Sequence, residues 1–308
     1  MKSVVTVTFN PAIDKSTRVP ALVPDKKLKC SPPVFEPGGG GVNVARAIMR
    51  LGGQATAVFF GGGYTGQFFN KLLMAEQVPA IMMPIEAHTR ENLIVMEEAT
   101  QQQFRFGMPG PQVTLEEWQR GLEILDKAMD QASFIVASGS LAPGIPQEAF
   151  EKVGQMAGEK GIRFIVDTSG AALQRAVRSD VYLLKPNLAE LATLAGKEKL
   201  NGDEAVVVAK AIIAAGNCRY IVLSLGAGGA MLVTAEQVMH FPAPVVKRLS
   251  TVGAGDSMVA GIVLQLTQGA DIATAVKFGV ACGTAATMNP GTELCHLQDV
   301  LDLYQSIP

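Results

Sequence analysis

The chain has 308 residues, 48% of them apolar and 18% charged, which is enough apolar material for a large core and too much for a disordered segment. A net charge of −2 leaves no basic face for nucleic acid or an anionic membrane, so an anionic ligand must be held by local groups. Cys30, Cys218, Cys282 and Cys295 form no CxxC pair and no apolar run reaches the roughly 18 residues of a membrane span; the expectation is a soluble, cytoplasmic protein without a zinc site or disulfide framework.

In chain order, Met1-Lys2 runs straight into a buried strand, Ser3 to Phe9, that stops at Asn10-Pro11. Residues 12–37 are polar and irregular, and Gly38-Gly39-Gly40-Gly41 then opens a helix over 42–51. A strand (55–60), a helix (66–76) and a strand (80–85) follow, then a hairpin from 92–96 and 103–106. Beyond Thr114 the alternation is regular. Helices at 115–130 and 146–160 lead to strands at 134–137 and 163–166, and a short helix leads to a strand at 181–184. Two helices fill 187–215, a strand spans 220–223, and 231–233 with 237–241 make a hairpin before helices at 256–268, 272–288 and 296–306. Such alternation predicts a three-layer α-β-α sandwich around a mostly parallel sheet. The excursions at 12–37 and 86–108 are expected to join as a small β-sheet lid on one domain spanning 1–308.

Three glycine-rich loops stand where such sheets bind ligands. Gly61-Gly62-Gly63-Tyr64-Thr65-Gly66 matches the dinucleotide pattern, with Glu86 twenty residues on, but short matches are frequent in a chain with 32 glycines. It supports a nicotinamide oxidoreductase only weakly. Gly38 to Gly41 costs backbone entropy that a plain turn does not need, which points to close approach of a ligand. Asn43 then sits to hydrogen-bond that ligand, or is simply a helix-start residue. In Ser250-Thr251-Val252-Gly253-Ala254-Gly255-Asp256, the amides of Gly253, Ala254 and Gly255 at a helix start suit an anion, and the helix dipole is expected to keep Asp256 ionised as a base.

Gly38-Gly39-Gly40-Gly41-Val42-Asn43-Val44-Ala45-Arg46 and Thr251 to Asp256 together resemble the two signatures of the ribokinase-like (PfkB) sugar kinases. The segments Lys27-Leu28-Lys29-Cys30, Val34-Phe35-Glu36-Pro37, Lys185-Pro186-Asn187 and Ser224-Leu225-Gly226 are most similar to its type II bacterial 6-phosphofructokinase branch. The resemblance implies an enzyme using ATP and Mg²⁺, in which Asp256 deprotonates a sugar hydroxyl and the amides of Gly253 to Gly255 hold the phosphoryl oxygens. It implies a phosphosugar site at Asp14, Lys27, Gly38, Gly39, Asn43, Arg90, Gly139 and Ser140, with Arg90 on the phosphate and Lys27 reached across a homodimer built through the lid. The nucleotide is implied to lie against Lys185, Asn187, Ser224, Gly226, Gly228, Gly229, Thr251, Gly283 and Thr284. Glu190 is implied to organise Mg²⁺ through water, although Asn187 and Glu190 also have the spacing of a helix capping box. Ser250, Val252, Ala286, Asn289 and Gly291 are implied to hold K⁺. The chain departs from the family's pattern at Glu293, where an arginine is expected, and at Arg248, where a small polar residue is expected. Gly40, where relatives that use fructose 1-phosphate or tagatose 6-phosphate have lysine, implies fructose 6-phosphate as substrate.

Overall fold

The computed structural model describes residues 3–308. Seven parallel strands make the main sheet in the spatial order β11 (Cys218–Ser224), β10 (Val181–Leu184), β9 (Arg163–Asp167), β8 (Ala132–Ser138), β1 (Ser3–Thr8), β4 (Ala55–Gly62) and β5 (Ala80–Ile85). An antiparallel hairpin, β12 (Ala230–Val233) and β13 (Val238–Phe241), completes nine strands at the β11 edge.

Both faces of this sheet are covered, which is why its strands read as mostly apolar runs. Val4 of β1 enters one core with α1 (Gly40–Arg50), α2 (Gly63–Ala75), α8 (Ala254–Thr267), α9 (Ile272–Thr287) and α10 (Leu297–Ser306). Val5 and Val7 enter the other, with α3 (Leu115–Met129), α4 (Ala149–Glu159), α5 (Gly170–Ala176), α6 (Leu188–Leu194) and α7 (Gly202–Ala214). The expected α-β-α sandwich is thus present. Cys282 and Cys295, thirteen residues apart in sequence, meet in the first core as free thiols.

The two polar excursions pair with one another. β2 (Ala12–Val19) lies between β3 (Val34–Gly38) and β6 (Arg90–Glu97), with β7 (Gln102–Phe106) outermost. The register sets Asp14 opposite both Glu36 and Asn92. Residues 12–37, read as irregular, therefore contain two strands. Their partners are remote in sequence and one face stays half-exposed, so Asp14, Ser16 and Arg18 leave no apolar alternation to recognise.

Candidate active site

Helix α8 begins at Gly253, whose φ of 73° is left-handed and whose added Cβ would stand 2.6 Å from Cδ2 of Leu294, so glycine is required there. The first bond of the helix runs from the Ser257 N–H to the Gly253 carbonyl at 2.8 Å. The amides of Ala254, Gly255 and Asp256 consequently have no intrahelical acceptor, and Ala254 and Gly255 open onto a cavity of about 480 Å³. Oδ2 of Asp256 accepts from Nδ2 of Asn43 at 2.9 Å, which joins the two signature segments across a separation of 213 positions in sequence.

Burial pushes the Asp256 carboxyl up to about 7, the charge of Asp167 adds to the rise, and Asn43, Lys185 and Arg46 oppose it. The dipole of α8 was expected to hold this carboxylate ionised; desolvation outweighs it. Part of the residue's surface remains exposed. A base with proton affinity near neutrality suits deprotonation of a hydroxyl at physiological pH.

Asn43 is itself fixed by Arg46, which is only 1% exposed. The Arg46 guanidinium donates to Oδ1 of Asn43 (3.3 Å), the Pro37 carbonyl (2.8 Å) and the Glu76 carboxylate (2.8 Å), and lies 3.6 Å from Glu36. Glu36 in turn accepts from the Thr292 hydroxyl. A paired buried arginine is a positioning device for the amide that touches the base.

On the other side of Asp256, Nζ of Lys185 pairs with Oδ1 of Asp167 at 3.0 Å, and the two side chains are 7% and 14% exposed. Burial works against the Lys185 ammonium, but Asp167 beside it wins and raises its proton affinity. A Cβ added to Gly255 would stand 3.5 Å from Nζ of Lys185 and 4.0 Å from Oδ2 of Asp167, so this pair lies against the glycine turn. Asn187 and Glu190 form the capping box of α6, with bonds of 2.9 and 2.8 Å. Burial and then Asp167 raise the proton affinity of Glu190 as well.

The residues implied to hold a phosphosugar lie mostly around the carboxyl ends of β1 and β8. The Val42 N–H donates to Oγ1 of Thr8 at 2.9 Å, which pins the glycine run to β1. Gly39 has φ 120°, and a Cβ there would be 2.8 Å from Cγ2 of Thr8. A Cβ on Gly38 would collide with the Asp14 carboxylate, and one on Gly40 with the Ser138 hydroxyl and, at 2.8 Å, the Gly139 amide. The tetraglycine is thus set by close packing against Asp14 and the 138–140 turn. Asp14 accepts from Nδ2 of Asn92 at 2.9 Å, and Ser140 accepts from Nδ2 of Asn10 at 3.1 Å. Gly38→Ala must swing the Asp14 carboxylate and break its bond to Asn92. If the implied phosphosugar binds here, steady-state kinetics should show its KM rising about tenfold or more with kcat less affected.

Arg90 is committed to backbone, donating to the carbonyls of Asn10 (2.9 Å), Met108 (2.9 Å) and Pro11 (3.4 Å). These bonds tie the base of the lid to the end of β1 and leave part of the guanidinium fork for a phosphate. Lys27 is exposed on the loop between β2 and β3, and none of the bonds above involves it.

The 480 Å³ cavity brings together Asn187, Ser224, Gly226, Gly229, Thr251, Gly283 and Thr284. Gly228 stays outside its lining, its carbonyl bonded to His240 at 2.8 Å. The apolar walls Ala243 to Val246, Met258 and Val280 had no sequence signal of their own. The proposed K⁺ segments do converge: Ser250 donates to the Gly291 carbonyl at 2.6 Å and its amide to Thr287 at 3.3 Å. Asn289 donates to Leu294 at 2.9 Å and Glu293 pairs with His296 at 2.8 Å. Carbonyl and hydroxyl oxygens suit a monovalent cation, and among the described residues no cluster of three His, Cys, Asp or Glu side chains competes for a metal.

The turn Gly61 to Gly66 holds no room for a pyrophosphate. A Cβ on Gly62 would strike the Ile85 and Ala87 carbonyls, one on Gly63 the His88 ring, and Glu86 is exposed with its amide bonded to Glu117 at 2.7 Å. These glycines serve the crossing of β4 by the β5–β6 connection. Four groups were missed: Asp167, Asn92, the positioning role of Arg46, and Arg105, whose charge acts on Asp14. Asp167 had a usable signal, since it ends the buried strand 163–167 at the ligand-binding edge of the sheet.

Residues 7–299 match the pfkB family carbohydrate kinases. The ATP-dependent 6-phosphofructokinase isozyme 2 of Escherichia coli K12 is 43% identical over 305 residues, covering 99% of this chain and 98% of that protein. The Mycobacterium tuberculosis protein of the same name is 40% identical over 297 residues, covering 96% and 87%. The crystal structure of phosphofructokinase-2 from Escherichia coli in complex with fructose-6-phosphate superposes with a TM-score of 0.93 at 40% identity, over 99% of both chains.

Proposed function

The chain belongs to the pfkB family of carbohydrate kinases, and from that premise we propose that it transfers the γ-phosphoryl group of ATP to the 1-hydroxyl of fructose 6-phosphate. The observation that carries the reading is Asp256: a carboxylate of near-neutral proton affinity, held by Asn43, at the helix start that opens onto the nucleotide cavity. Asp256 takes the hydroxyl proton, the freed oxygen bonds to the γ-phosphorus, and the bond from that phosphorus to the ADP oxygen breaks. The amides of Ala254, Gly255 and Asp256 stabilise the charge on the phosphoryl oxygens, with the Lys185 ammonium beside Gly255.

Asp14, Asn43 and the backbone of Gly39 and Gly139 hold the sugar, while Arg90 takes its 6-phosphate. Gly40 supports the choice of sugar, because a lysine there would have to displace the Ser138–Gly139 turn. Mg²⁺ fits beside Glu190, where Asp167 has already concentrated negative charge, and when bound it neutralises phosphate charge. K⁺ is assigned to the oxygens of Ser250, Val252, Ala286, Asn289 and Gly291. The exposed lid residues Val34 and Phe106 support a homodimer through the lid, in which the partner's Lys27 reaches the phosphosugar. Among the described residues no helix is long and apolar enough to cross a membrane, consistent with the cytoplasmic location proposed.

The test is ATP consumption with fructose 6-phosphate, fructose 1-phosphate and tagatose 6-phosphate in parallel. We expect the highest kcat/KM for fructose 6-phosphate. A clear preference for either other sugar would overturn the substrate, and no turnover of any would overturn the reading.

A further inference from the structure

We propose that Arg248 reads the charge of the donor's phosphate chain, an inference that rests on the nucleotide assignment above. Among the residues lining the 480 Å³ cavity, Arg248 alone carries a charge. The nearby Lys185 ammonium is held by Asp167 at 3.0 Å and stands beside Gly255, at the transferred phosphoryl group, so the rest of the phosphate chain is left to another cation. Arg248 belongs to none of the ion pairs among the described residues.

Its position is as informative as its freedom. Arg248 also lines a second, open and mostly polar cavity of about 540 Å³ with Leu249, Ser250, Thr251 and Gln103 of the lid strand β7. Arg248 and Thr251 are the two residues common to both cavities. Arg248 therefore sits on the border between the apolar pocket, suited to an aromatic base, and the polar cavity that reaches lid strand β7. Thr251, Ala254 and Gly255, whose turn is assigned to the phosphates, line the same cavity as Arg248. A planar fork binds phosphate oxygens in pairs, and loses little hydration in doing so at a half-open site.

Calorimetric titration of ADP and of adenosine into the full chain separates charge reading from wall shape. For Arg248→Gln we expect ADP to bind about tenfold more weakly and adenosine to bind as before. Arg248→Lys, which keeps the charge and loses the fork, recovers part of the ADP affinity. Because the side chain is exposed, both variants should melt with the native chain. ADP affinity unchanged in Arg248→Gln would overturn the proposal, as would an equal loss for ADP and adenosine. Failure of the native chain to bind ADP would instead remove the nucleotide assignment, and this inference with it.

Discussion

Asp256→Asn is expected to lower kcat roughly a thousandfold and, above pH 7, to raise the melting temperature. The first effect follows from removing the side chain proposed to take the hydroxyl proton, within the roughly 10²–10⁴-fold that a positioned base supplies. The amide keeps the size of the carboxyl and leaves the anion turn intact, so substrate affinity should change far less than turnover. The second effect follows from burial. The carboxyl is lifted from its ordinary 3.8 to about 7 in the folded protein, so folding favours the protonated form.

Stability from this group is therefore full below pH 4 and is lost as pH rises towards 7. Three units at about 1.4 kcal/mol each give a ceiling of roughly 4 kcal/mol, which the opening to the cleft reduces. Asparagine carries no charge and escapes that cost. Melts at pH 5 and pH 8 should show the variant gaining on the native protein more at the higher pH. An equal difference at both would mean that Asp256 does not titrate in this range. The matching kinetic sign is a kcat/KM that falls as pH drops below about 7.

The sandwich was legible because a sheet covered on both faces demands apolar strands, and Ser3 to Thr8, 134–137 and 220–223 advertise that directly. The lid strand Ala12–Val19 was not, since its partners lie at 34–38 and 90–97 and its polar side chains stay half-exposed. The same division runs through the site. Glycine turns are visible because glycine has few other uses in such runs, so Gly38 to Gly41 and Gly253 to Gly255 stand out in sequence. Charge balance is not visible. Whether Asp256 is ionised depends on Asp167, 89 positions earlier, and on Arg46, whose partners include Glu76 and Pro37. A helix dipole can be inferred from order along the chain, whereas desolvation exists only once the sheet, α1 and α8 have closed around the carboxyl.

That dependence makes Asp167→Asn the sharper probe of the electrostatics. Loss of the carboxylate leaves the buried Lys185 ammonium without its 3.0 Å partner, and breaking such a pair typically costs roughly 3–5 kcal/mol. Here the cost should fall below that range, because Glu190 and Asp256 still place negative charge on Lys185. The kinetic consequence has a definite sign. Asp167 raises the proton affinity of Asp256, while Lys185 lowers it. Removing the first and releasing the second both favour the ionised base, so the acid limb of kcat/KM moves below pH 7. The base is then weaker, and kcat on the plateau should fall by about tenfold or more, since proton-transfer efficiency tracks basicity. A pH–rate profile from pH 5 to 9, run beside thermal melts, measures both. A limb that stays in place while stability drops would make Asp167 a fold-stabilising partner of Lys185 alone. A limb that moves down, with Asp167→Glu restoring it, makes the Asp167–Lys185 pair the setting that tunes Asp256.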